Sequence, residues 1–492
     1  MKSSLRINFF NKNRNSFEYI FVLLIFLVLP LIWGGCAKEE AIIIPEETPQ
    51  PDPLDENDLM DRVLRIDIQN MDVKLEYIPD EDVLIGESII EFSMRPNQTI
   101  PLIHFDPAGS DTIETIILNG EELDFNDPSD VKMISFDETT QDGIELLREC
   151  GNDKINILTI KYRIGYSNGY KSFYSNVNDI YGVGNEVIFP SINCPSDLSK
   201  HKITFSVISD KDYSFIGSGK VVETGSNKNR KWELDTEREV ASYTIMWMMV
   251  PEEDIDFEER EVDGIDVRIM TYKDSVSIDS AFEILESWLP ELRINIGVFP
   301  MERGLDVFLT QRGGGMEYFG ATITSLSALE HEVFHMYFGC SVVAKTYRDS
   351  WWDEAINMWY EYSASGSASP VNQNFSSNIV SGRTPVSVGF DDRAYGDGAR
   401  VIESIAIEMG GRDAFIVFLN QLYSNYTFSP FNTFELVDYI FNYSGIDFED
   451  KIVKWLYSGT RVFYSASGTD GRDYHKVDMT PPGEIVEKYN RR

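Results

Sequence analysis

The stretch SALEHEVFHMYFG, residues 327–339, constrains the chain more than any other. It sets His331 and His335 four residues apart, with Glu332 beside the first, in a chain that has only five histidines. On a helix, residues i and i+4 leave one face a turn apart, so both rings can reach one cation while Glu332, offset by one position, lies beside it. At this composition the pattern is expected by chance about 0.005 times, which favours a pair of ligands over two ordinary helix histidines. Glu354 follows after eighteen intervening residues, in DSWWDEAINMWYEY, at the start of a second helical pattern, and supplies a third candidate ligand. Two neutral imidazoles and a carboxylate suit one Zn²⁺ per chain with a fourth position left for water, as in catalytic rather than structural zinc sites. Glu332 is then placed to accept a proton from that water as general base, the chemistry of peptide hydrolysis.

The hydrophobic pattern around the motif implies an α+β fold. From about residue 61, runs such as LRIDIQNMDVKLEYI, LIGESIIEFSM, INILTIKYRIGY, KITFSVISD and ASYTIMWMMV alternate or are rich in β-branched residues, and turn-rich stretches such as RPNQ and SNKN separate them. They predict an N-terminal antiparallel β domain over residues 61–252. After that the character is mixed. GIDVRIMTY and GLDVFLT read as strands around the helical SIDSAFEILESWLPELRINIG, and long helical patterns dominate from Ser327, so residues 253–492 form a second domain that carries the motif.

Residues 1–35 read as a signal peptide: Lys2, Arg6, Lys12 and Arg14 precede the apolar run YIFVLLIFLVLPLIW. The run meets GGC, so Cys36 is the candidate lipid anchor; the alternative is an uncleaved transmembrane segment. Residues 36–60, rich in proline and acids, read as an extended spacer. The Lys-Glu-Glu after Cys36 is similar to export tags of some bacterial lipoproteins, so the expected location is the cell envelope, at the outer membrane or cell surface. A formal net charge of -38 argues against nucleic acid as a partner. With Cys36 lipidated, Cys150, Cys194 and Cys340 remain, and Cys150 with Cys194 is the possible disulfide, free thiols being the alternative.

Several motifs together carry a family resemblance. The spacing from His331 to Glu354 resembles the gluzincin metallopeptidases, and GGGMEYFGATIT at 313–324 resembles the Gly-x-Met-Glu-Asn strand of the aminopeptidase N-like family. HEVFHMYFGCSVVAKTYRDSWWDEAIN, RAYGDGARVIESIAIEMGG and FPSINCPSDLSKHKITFSV are similar to that family's zinc region, its Tyr-x-Lys-Gly-Ala segment and its FPCFDEP segment. The similarity spans most of residues 61–460.

It implies a thermolysin-like catalytic domain, a peptide substrate and three further roles. Tyr395 falls where the family has a tyrosine that stabilises the oxyanion. Glu317 matches the glutamate that holds the substrate's free α-amino group, with Gly314, Gly315 and Met316 lining the strand that the substrate approaches. Tyr318, Cys340 and Asp397 depart from the family's Asn, Asn and Lys. No clear equivalent of the family's second amine anchor precedes the FPSINCP segment, where Asp179 and Glu186 are the possible substitutes. Only a short tail follows FEDKIVKWLYSGTRVFYSASG, so the large helical domain that follows the zinc region in many members is not expected in this sequence. The resemblance thus implies a zinc aminopeptidase, with an endopeptidase on the same zinc site or a surface binding module without turnover as rivals.

Overall fold

Long strands with one buried face build the first half of the molecule, because alternate residues of a strand point to opposite sides of its sheet. In Val83–Met94 every second residue is buried, and Ile66–Ile78 pairs with it from Ile66 opposite Met94 to Ile78 opposite Val83, with one bulge between Ile68 and Asn70. The computed structural model describes residues 64–457 apart from 82, 106–111, 136–141, 166–172, 176–179, 184–187, 226–227, 378 and 381–391. All of them fall within one compact unit, Leu54–Arg492. Cys36, the linker, Asp179 and Glu186 lie outside the described residues.

An eight-stranded sheet runs in the order Lys220–Glu223, Asn229–Ala241, Leu198–Ile208, Ile66–Ile78, Val83–Met94, Asn156–Gly165, Thr112–Leu118 and Glu121–Leu123. Its pairs are antiparallel except at the centre, where Ile66–Ile78 runs parallel to Leu198–Ile208. A three-stranded and a four-stranded sheet complete this half. The chain leaves the four-stranded sheet through Met246–Pro251, makes a short 3-10 turn at Glu252–Asp254, and enters a different sheet at Ile255–Val262.

That third sheet positions the site. Its five strands run Ile255–Val262, Ile265–Tyr272, Leu305–Leu309, Ala321–Thr324 and Gly315–Tyr318, so among the described residues the glycine-rich strand Gly315–Tyr318 is an edge. The crossover between Ile265–Tyr272 and the parallel Leu305–Leu309 contains helix Ile278–Asn295. Ser277 caps this helix by accepting from the Ser280 N–H at 3.2 Å, and Ala281, Phe282, Leu285, Trp288, Leu289 and Leu292 form its buried stripe. The helices Trp351–Ser365, Ala399–Glu408, Arg412–Tyr426, Thr433–Ser444 and Glu449–Leu456 follow.

One sequence expectation changes, and one open choice closes. The motif helix is six residues long, Leu329–Phe334, and His335 is its C-terminal cap rather than an interior residue. The last helical carbonyls find partners from other elements: Trp288 Nε1 donates to Glu330 O at 3.0 Å and Asn357 Nδ2 to His331 O at 2.9 Å. A helix this short is therefore held by its neighbours and not by its own propensity. Of the two readings open for Cys150 and Cys194, a disulfide or free thiols, the structure has buried free thiols, as it does for Cys340. Cys194 points its sulfur at Lys345 O, 3.5 Å away, while Asn119 approaches Cys150.

Candidate metal centre and active site

The motif helix and helix Trp351–Ser365 bring His331, His335 and Glu354 together. His331 Nε2 lies 3.2 Å from His335 Nε2 and 3.1 Å from Glu354 Oε2, and His335 Nε2 lies 3.4 Å from the same oxygen. A tetrahedral ion with bonds of about 2.0–2.1 Å spaces its ligands by about 3.3 Å, so this triangle has the size that Zn²⁺ requires. The other ring nitrogens are occupied. His335 Nδ1 donates to the Phe338 carbonyl at 3.0 Å, and His331 Nδ1 is 2.9 Å from Glu361 Oε1. A carbonyl can only accept, so His335 Nδ1 carries a proton and Nε2 is the nitrogen that would turn a lone pair to a metal once it gives up its own proton. The donor set therefore fits zinc.

Electrostatics point the same way. Burial alone would depress both imidazoles, yet hydrogen bonds to Glu354 and Glu361 push His331 up to about 9 and the field of Glu354 and Glu317 holds His335 well above its ordinary value. Glu354 is the mirror image. Burial opposes its charge, but His335 and His331 outweigh that and hold it down to about 2. The pocket is thus a place of concentrated negative potential with room for a cation.

Glu332 is buried beside the triangle, and burial pushes its carboxyl up to about 7. Its carboxylate, that of Glu317 and a ring nitrogen of His335 lie within 4.8 Å of one another. Tyr395, in the π-turn Ala394–Gly398, stacks its ring at 6.0 Å on His331, and its hydroxyl donates to Glu354.

Glu317 reaches the centre from the edge strand, whose backbone is fixed by Thr322 Oγ1 donating to Met316 O at 3.0 Å and Ser325 N to Gly314 O at 2.9 Å. Met316 is 51% exposed, and a side chain at Gly314 would meet nothing within 4 Å, so this rim faces open space. Gly315 is different. A Cβ there would lie 2.5 Å from Glu332 Cγ, so its glycine is required by the carboxylate behind it. Gly339, at φ +127°, turns the chain tightly over His335, where a Cβ would lie 3.1 Å from Nδ1.

The described residues thus bring together His331, Glu332, His335, Glu354, Tyr395, Glu317 and the glycine rim. Sequence reasoning missed Glu361, although its position seven residues after Glu354, two turns along the same helix, was a usable signal. It also missed Asp353, a buried carboxyl whose Oδ1 has no hydrogen-bond partner and whose pKa burial raises well above the ordinary value.

The sequence matches no protein-family profile and no curated protein. The fold does have solved counterparts. An M1 zinc metallopeptidase from Deinococcus radiodurans superposes with a TM-score of 0.61 at 17% identity, over 80% of this chain and 94% of that one. The chain has the fold of that M1 peptidase. Structures of a two-domain M1 zinc metallopeptidase mutant bound to L-tryptophan or to L-arginine match this chain too, as does that of a Deinococcus radiodurans M1 mutant bound to a Tyr-Ser-Ala substrate. Yeast LTA4 hydrolase matches with a TM-score of 0.61 at 12% identity, over 80% of this chain and 68% of its own. Legionella pneumophila aminopeptidase A, in complex with aspartic acid, matches with a TM-score of 0.65 at 12% identity, over 82% and 51%.

Proposed function

We propose that this chain is a zinc metallopeptidase that removes residues from the free N-terminus of peptides. The observation that carries the reading is the convergence of His331, His335 and Glu354 at metal-ligand spacing, with Glu332 and Tyr395 beside them. Zinc held there would supply a Lewis acid that polarises the scissile carbonyl and acidifies a water. Glu332, raised toward neutrality by burial, takes the proton of the attacking water and passes it to the departing amine. Tyr395 keeps its proton, because burial and Glu354 raise its pKa, and so serves as a donor to the oxyanion that develops. Glu317 receives the α-ammonium, and the edge strand beside it offers backbone groups to an extended peptide. That M1 peptidases of the same fold are bound to amino acids and to a Tyr-Ser-Ala substrate in their structures supports a peptide substrate here.

We also propose that Cys36 tethers the chain to a bacterial membrane; among the described residues no helix is long and apolar enough to cross one.

Elemental analysis of protein purified without chelator should give about one zinc per chain, and Glu332→Gln should keep that zinc while losing activity by several orders of magnitude. Absence of stoichiometric metal, or no chelator-sensitive cleavage of any peptide by the unsubstituted protein, would overturn the reading. Cleavage of free and N-acetylated peptides alike would leave zinc hydrolysis standing and point to an endopeptidase.

A further inference from the structure

The strand that carries Glu317 has one sheet neighbour among the described residues, Ala321–Thr324, and is therefore held along a single side. Its far end is held differently. After Tyr318 the chain turns at Phe319 and Gly320, both buried, and there six residues of the two halves close a ring of hydrogen bonds. The Phe319 N–H donates to Thr244 O at 2.8 Å, in the turn Ser242–Thr244 of the β half, and Ser218 Oγ donates to the same carbonyl at 3.1 Å. The adjacent Gly217 N–H donates to Asp306 Oδ2 at 3.0 Å, and the Asp306 N–H donates to Gly320 O at 2.9 Å, which returns the ring to the turn.

Asp306 joins the halves through its side chain. It lies on Leu305–Leu309 opposite Ala321, and Arg268 of the next strand grips the carboxylate with two nitrogens, Nε to Oδ1 at 2.7 Å and Nη2 to Oδ2. Gly217 ends Tyr213–Gly217, which among the described residues is an outer strand of the four-stranded sheet, so an N–H on its outer side has no ladder partner within that sheet. The buried carboxylate supplies one. Three donors thus meet on two oxygens, and the orientation that Arg268 imposes is the one that receives Gly217.

We propose that Asp306 is a positioning residue for the amine end of the cleft: by closing this ring it holds the Phe319–Gly320 turn against the β half and so fixes where the strand presents Glu317. This rests on the aminopeptidase reading and adds that preference for a free amine depends on how the two halves are docked. Tyr318 alone separates Glu317 from Phe319, so a shift of the turn carries the carboxylate with it. The candidate metal ligands stand on Leu329–Phe334, its cap and Trp351–Ser365, outside the ring, and keep their places. The rival account gives Asp306 a role in stability alone, as one partner of a buried ion pair.

Asp306→Asn separates the two accounts. It keeps the shape but offers one acceptor oxygen where the carboxylate has two, so its NH2 group faces a donor and the ring loosens. The test is calorimetric binding, to the zinc-loaded protein, of leucine hydroxamate and of its des-amino analogue, which bind a metal alike and differ only in the amine. Zinc content and Tm are measured alongside. We expect Asp306→Asn to weaken the amino hydroxamate about tenfold and to leave the des-amino one within about twofold, at unchanged zinc content. Adding Arg268→Gln, whose amide oxygen can accept from the new NH2 group, should restore the preference. Ser218→Ala, which opens the ring away from the ion pair, should reduce the preference in the same direction and carries the test if Asp306→Asn does not fold. An unchanged preference, equal losses on the two ligands, or no restoration by Arg268→Gln overturns the proposal. Failure of the unsubstituted protein to prefer the amino hydroxamate overturns the aminopeptidase reading, and the proposal with it.

Discussion

Glu361 Oε1 lies 2.9 Å from His331 Nδ1, two helical turns from Glu354, whose own carboxylate faces the other nitrogen of the same ring. One helix thus supplies both a candidate metal ligand and the group that orients a second ligand. Hydrogen-bonded carboxylates of this kind fix the imidazole's tautomer and raise its basicity. Glu361→Ala should therefore weaken zinc binding by about 10- to 100-fold without touching the ion, as read by competition with a chromogenic chelator. An unchanged affinity would show that the Phe334–Tyr360 packing around the helix already fixes the ring.

Glu317→Ala should lower kcat/KM for free peptides by about tenfold or more while leaving zinc content and the cleavage of N-acetylated peptides unchanged, because an ammonium–carboxylate hydrogen bond in a shielded cleft contributes roughly 1.5–3 kcal/mol. The half-exposed position of Glu317 on an edge strand places the effect toward the lower end of that range. Matched free and acetylated peptides give the measurement, and equal losses on both would make Glu317 a structural residue.

How much of this was legible beforehand follows from which interactions are local. His331, His335 and Glu354 could be named because helical periodicity converts spacing into direction. The long strands Ile66–Ile78 and Val83–Met94 could be seen because one buried face enforces alternation. The parallel pairing of Ile66–Ile78 with Leu198–Ile208 could not, since nothing in either strand encodes a partner more than a hundred residues away. The early end of the motif helix at Phe334 was hidden for a related reason. Its carbonyls are satisfied by Trp288 and Asn357, which arrive from other elements. Asp353 carried no signal of its own in the sequence, since only the tertiary structure buries its carboxyl beside the ligand helix position Glu354 and leaves Oδ1 without a partner.

His201 gives the fold a pH dependence away from the site. It is fully buried, with Nε2 donating to Val240 O at 3.3 Å and Nδ1 without a hydrogen-bond partner, and burial holds its pKa down to about 4. The unfolded chain takes up this proton near pH 6.5, whereas the folded chain resists it until about 4. Stability is therefore complete above about pH 6.5 and is lost as pH falls through that window, by up to about 3 kcal/mol. Urea midpoints of chelator-treated protein at about pH 7.5 and about pH 4.5 should differ less in His201→Gln than in the unsubstituted chain. An identical difference in both would place the pH dependence elsewhere.

Gly315 offers the sharpest test of how the edge strand serves the chemistry. A methyl group there would lie 2.5 Å from Glu332 Cγ and 2.6 Å from Thr324 Oγ1, so something has to move. Thr324 is held within the sheet and donates to Ser325 O at 3.1 Å, whereas Glu332 ends in a rotatable side chain. The carboxylate is therefore the part that gives way. Its displacement leaves His331, His335 and Glu354 in place, because their spacing is set by the two helices and by Phe338 and Glu361. Gly315→Ala should thus retain zinc and lose about 100-fold or more in kcat/KM, the order of loss that follows when a proton-transfer group is misplaced by about 1 Å. Gly314→Ala, next door, would meet no neighbour but carries φ +88°, so its cost falls on the backbone and not on Glu332. Measured side by side on free and N-acetylated peptides, Gly315→Ala should reduce both substrates equally, since the general base acts on either. A loss confined to free peptides would instead mean that the added methyl obstructs the amine end of the cleft and that Glu332 has kept its place.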